Sequence, residues 1–79
     1  MAFYILILKE QEDDGKVVYR FGPDEQNFGL LKLSKKDGKI EEITQVTVDN
    51  SSAFFTRAAT KVYRHWKQGK FPQKIMWAS

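Results

Sequence analysis

FYILILKEQEDDGKVVYRF, residues 3 to 21, decides how this chain folds. Asp13, Asp14, Gly15 and Lys16 sit between two runs of strand formers, and Asp-Gly readily takes the backbone angles of a tight hairpin turn. The stretch therefore predicts two antiparallel strands. Its first strand is unusual, because Phe3, Ile5 and Ile7 point to one side while Tyr4, Leu6 and Leu8 point to the other. Both sides are apolar, so both sides of the sheet call for cover.

The same pattern recurs downstream. FGLLKLS (residues 28–34) and IEEITQVTV (40–48) flank a second Asp-Gly turn at Lys36, Asp37, Gly38 and Lys39. Between the two hairpins, Gly22 to Asn27 (GPDEQN) combines turn formers with two carboxylates that solvate a loop. The expected strands are about 3–9, 16–22, 28–34 and 39–48.

After Val48 the period changes. Asp49, Asn50 and Ser51 are candidate helix N-caps, and Gly69 followed by Pro72 is a stop signal. Phe55, Ala59, Val62 and Trp66, with Phe54, Ala58 and Tyr63 alongside, recur at three-and-four spacing and predict a helix over about 51–68. Ala58 and Ala59 carry little bulk, which lets the helix backbone approach a sheet. The expected fold is α+β: a four-stranded antiparallel sheet of two hairpins, one long C-terminal helix, and a short apolar tail over 69–79.

One helix covers one sheet face. Val17, Tyr19 and Phe21 oppose Val18, and Leu31 and Leu33 oppose Leu30, so the second face is also partly apolar. Two covers are open to it: the tail, with Phe71, Ile75, Met76 and Trp77, or a second copy of the chain. A homodimer is expected on this ground.

The 79 residues fit a single domain spanning 1–79, with a core marginal enough for aromatic bulk or a partner to matter. There is no cysteine, which excludes disulfides, thiolate metal sites and thiol nucleophiles and favours a reducing, cytoplasmic setting. The apolar opening spans only seven residues from Ala2 to Leu8 and has no basic flank, so neither a signal peptide nor a membrane span is expected.

Catalytic, cofactor and metal sites are not expected. His65, the only histidine, has no carboxylate at helical spacing to orient it. Glu41 and Glu42 are adjacent and would face opposite sides of a strand. The Gly-Lys pairs at 15–16, 38–39 and 69–70 lack the spaced glycine and the hydroxyl of a phosphate loop. EDDGK (12–16) lacks the alternating oxygen ligands of a calcium loop. The NSS triplet at Asn50 reads as helix cap.

Charge is segregated along the chain. Residues 1–50 hold seven Lys/Arg against ten Asp/Glu, a net of −3, whereas residues 51–79 hold six Lys/Arg and no acid, a net of +6. Arg57, Lys61, Arg64 and Lys67 follow steps of four, three and three on the expected helix, and Lys70 and Lys74 continue the positive run into the tail. This is a candidate surface for an anion or nucleic acid, with Tyr19, Tyr63 or Trp77 available to stack on unpaired bases. The strand-strand-strand-strand-helix order over residues 3–68 resembles, in topology, the repeat of the PUR family. That resemblance implies a dimeric binder of single strands whose sheet carries the ligand.

The other functional class is a non-enzymatic interaction or regulatory module. Phe71, Met76 and Trp77 lie beyond the helix stop, where apolar side chains must pack on something. If the tail or the open face docks on another protein, the basic stripe selects an acidic partner.

Overall fold

A computed structural model describes residues 4–24, 26–46 and 51–78. Strands β1 (Tyr4–Glu12), β2 (Lys16–Gly22), β3 (Gly29–Ser34) and β4 (Ile40–Thr44) are followed by helix α1 (Ser51–Gln68) and strand β5 (Lys74–Ala78). The sheet is antiparallel in the order β4-β3-β2-β1-β5. Strands β1 to β4 form a meander, and the connection through α1 carries the chain from one sheet edge to the other.

The α+β class stands, with one correction. The sheet has five strands, because the segment expected to be a tail pairs with β1 from Tyr4↔Ala78 to Leu8↔Lys74. It extends the edge and does not lie over the open face. Lys74, Ile75, Met76 and Trp77 alternate between the two sheet faces with period two, and Ile75 is 95% buried on the helix side while Met76 points away. Tyr19 fastens the approach to β5, its hydroxyl donating to the Pro72 carbonyl at 2.8 Å.

The two expected turns close differently. At Asp13, the carboxylate accepts from the backbone N–H of Gly15 and Lys16 at 2.8 and 2.9 Å, so the side chain completes the turn without positive φ at the glycine. Gly38 does take positive φ, 76°, and the Trp66 ring lies over it; a Cβ there would come within 2.7 Å of the indole. The Trp66 indole N–H donates to the Lys35 carbonyl at 2.8 Å, locking the end of α1 onto the β3–β4 turn.

Helix α1 ends as its sequence predicts. Gly69 has φ 73°, its N–H bonds the Trp66 carbonyl, and the Lys70 N–H bonds the His65 carbonyl, the paired closure of a Schellman cap. Of the N-cap candidates, Asp49 and Asn50 lie outside the described residues, as do Phe3 and the expected end of β4 at Val48.

The core lies between α1 and one sheet face. Ile5, Ile7, Val17, Tyr19, Phe21, Leu31, Leu33 and Ile75 meet Phe54, Ala58 and Val62 of the helix. Ala58 is fully buried, consistent with close approach of the helix backbone. Tyr19 is also fully buried, which removes it from the residues expected to stack on bases.

Candidate functional site

The face away from α1 follows from strand parity and register. Leu6 pairs across to Met76 on one side and Gly22 on the other; Leu8 pairs to Lys74 and Arg20; Arg20 pairs to Leu30; Val18 pairs to Lys32, and Lys32 to Glu41. All of these alternate with core residues and so share the open face. Tyr4, Met76 and Ile43 are exposed at 42%, 53% and 53%, while Leu6, Leu8, Val18 and Leu30 are half-buried by the longer side chains beside them. The result is an apolar end, around Leu6, Leu8, Leu30 and Met76, and a charged end, around Glu10, Arg20, Lys32 and Glu41.

Arg20 organises the boundary between these ends. Its Nε lies 3.0 Å from Glu10 Oε1, and its guanidinium carbon is 5.1 Å from the centre of the Phe28 ring. Glu10 reaches it because the register of β1 shifts between Lys9 and Gln11, a bulge that re-aims the side chain. At the end of β1 toward the β2–β3 loop, Tyr4, Leu6, Pro23, Asp24 and Gln26 line an open hollow of about 560 Å³. The Asp24 carboxylate holds that loop by accepting from the backbone N–H of Gln26 and Asn27, both at 2.8 Å, and these bonds keep its carboxyl below the usual carboxylate range.

The structure divides the predicted basic set. Arg57, Lys61 and Arg64 run along the flank of α1 nearer β5, with Arg57 5.2 Å from the centre of the Trp77 ring. Lys67 leans the other way, 5.4 Å from the centre of Tyr63, a residue that borders a hollow of about 280 Å³ with Gly38, Ile40, Ala59 and Thr60. Lys70 lies just beyond the helix cap. Lys74 stands opposite Leu8, on the open sheet face, separated from the helix by the sheet itself. The six cations therefore do not form one surface. Lys35, which lies outside that set, pairs with Glu12 at 2.7 Å and approaches the Phe71 ring at 5.0 Å. Lys35 and Lys9 hold the Glu12 carboxyl below its ordinary range.

Of the three predicted tail contacts, Phe71 and Trp77 pack against the chain's own core and only Met76 projects onto the open face. Among the described residues no group of three or more His, Cys, Asp or Glu comes together in a way that could hold a metal ion. No helix among them is long and apolar enough to cross a membrane. The residues that sequence reasoning missed are Glu10, Arg20, Phe28 and Lys32; the period-two alternation of β2 and β3 carries that signal once the open face is taken as a surface. The chain matches no protein-family model, no curated protein and no solved structure.

Proposed function

We propose that this chain is a small non-enzymatic interaction module that docks through the open face of its sheet. The observation that carries the reading is β1, which directs Ile5 and Ile7 into the core and Leu6 and Leu8 outward, with exposed Tyr4 and Met76 beside them. Contiguous, partly exposed apolar surface of this kind on a sheet marks an interaction site more often than a solvated one. The charged end then supplies orientation, since opposite charges across an interface fix its register. The absence of cysteine agrees with a reducing, cytoplasmic setting.

A photo-crosslinking residue placed at Leu30, with one at Thr60 on the exposed side of α1 as control, tests the reading in the cell that makes the protein. Protein adducts specific to Leu30 are expected. Equal background from both positions would sink it.

A second reading, single-strand or RNA binding on the basic helix flank, draws support from the lack of any acid in residues 51–79. It is the weaker of the two, because the cations are split between two sides of the sheet and Arg57 already lies over Trp77. Adducts with nucleic acid from Thr60 would favour it.

A further inference from the structure

We infer that the occupant of the open face is a second copy of this chain, related by a two-fold axis parallel to the strands; this rests on the reading of that face as the docking surface. Two sheets packed face to face keep their strands nearly aligned, and a two-fold pairing uses the same patch on both copies. Two orientations satisfy these conditions, and the charge pattern separates them.

An axis along the strands places β2 over β2, β3 over β1, and β4 over β5, without reversing the strand direction. The open-face register then sets Lys32 of one copy against the β1 bulge of the other, where Gln11 pairs with Val18 and Glu10 is the extra residue beside it, Leu30 against Leu8, and Phe28 near Leu6. Each match occurs twice. Edge Lys74 comes over the β4 edge at the level of Thr44, one open-face position from Glu41. Arg20, nearest the axis, brings its own countercharge, because Glu10 Oε1 already holds it at 3.0 Å. That contact uses Oε1 alone, and Glu10 is exposed on the open face, so its carboxylate can also meet Lys32 of the other copy. Lys32 itself neighbours Glu41 in register, yet no ion pair joins them among the described residues.

An axis across the strands reverses the order within each strand. It would set the charged end of one copy on the apolar end of the other, with Lys32 on Phe28 and Glu10 on Leu6. Glu10 would keep its Arg20 partner, but Lys32 would be taken from water with no countercharge, and an unpaired buried charge disfavours the arrangement. Area agrees with the first orientation. Five strands at about 4.8 Å spacing and roughly seven residues of about 3.3 Å give a footprint near 500 Å² per copy. The pair buries about 1,000 Å² of footprint, at the threshold for a specific interface. The contact is accordingly reversible and concentration-dependent.

Sedimentation equilibrium of the full chain reads this directly, with circular dichroism confirming that each variant is folded. The wild type is expected to move from the 9.2 kDa chain mass toward twice that mass across the micromolar range. Lys32→Glu and Glu10→Lys each place like charges together twice per dimer and are expected to weaken association about tenfold or more. The double variant K32E/E10K is expected to restore it to within about threefold of wild type. A wild-type chain that stays monomeric while Leu30 crosslinks to a different protein would overturn self-pairing and leave the docking face intact. A dimer indifferent to both single charge reversals, or a double variant as weak as the singles, would overturn the proposed arrangement. Loss of Leu30-specific crosslinks altogether would remove the docking face with it.

Discussion

Tyr19 links the core to the last strand. Its ring is fully buried beneath α1, and its hydroxyl donates to the Pro72 carbonyl just before β5 begins. Burial first, and then the nearby Glu12 charge, pushes its ionisation up to about 12 from an ordinary 10.0. The neutral phenol is thus the form the fold favours. Its contribution is fully present below pH 10 and is lost as pH rises toward 12. Tyr19→Phe removes one partly buried hydrogen bond and is expected to cost about 1 kcal/mol at neutral pH. Chemical denaturation followed across pH distinguishes this from simple loss of packing: the gap between wild type and Y19F should close between pH 10 and 12. A gap that stayed constant to pH 12 would show that the hydroxyl contributes nothing through its proton.

Strand β5 shows what five letters of sequence can hide. The Asp-Gly turns, the period-two runs and the glycine stop made four strands and a helix legible, and Gly69 caps α1 in the position its place in the sequence predicts. The fifth strand was missed because Pro72 and the helix stop read as the start of a free tail. The short apolar run Ile75, Met76 and Trp77 is visible in the letters. What they do not contain is the partner, since only the path of α1 across the sheet brings this segment beside β1. The open face was legible as a need for cover, but Glu10, Arg20 and Lys32 became a charged end only through strand register. β5 also relieves part of that need from the side, because Met76 and Lys74 flank Leu6 and Leu8. Ile75→Ala should cost about 2–5 kcal/mol, a large share of the stability of so small a domain. Removing residues 71–79 should go further, taking Ile75 from the core and opening the edge of an apolar strand. Thermal melts with light scattering are expected to show loss of the cooperative transition and aggregation. A truncated chain that melted cooperatively and stayed soluble would show that the first four strands and α1 suffice.

Charge across the molecule bears on which partner it meets. All six cations of residues 51–79 lack acidic neighbours in sequence, yet the fold spreads them over the two flanks of α1, the cap at Lys70 and, through Lys74, the far side of the sheet. Only Arg57, Lys61 and Arg64 share one flank. A single strand contacting that flank neutralises about three phosphates, so the logarithm of its affinity should fall with that of salt concentration at a slope of about −2. Binding so shallow in salt is also weak, because counterion release supplies most of the non-specific affinity. Fluorescence anisotropy with a labelled oligothymidylate is therefore expected to show binding at low salt and none at about 0.2 M, with Arg64→Glu abolishing the remainder. A slope near −4, or binding that survives at about 0.2 M, would require cations from both flanks to act together. Since the sheet lies between Lys74 and the helix, that outcome would demand a ligand wrapped around the β5 edge, and the functional surface would then be the helix layer and not the open face.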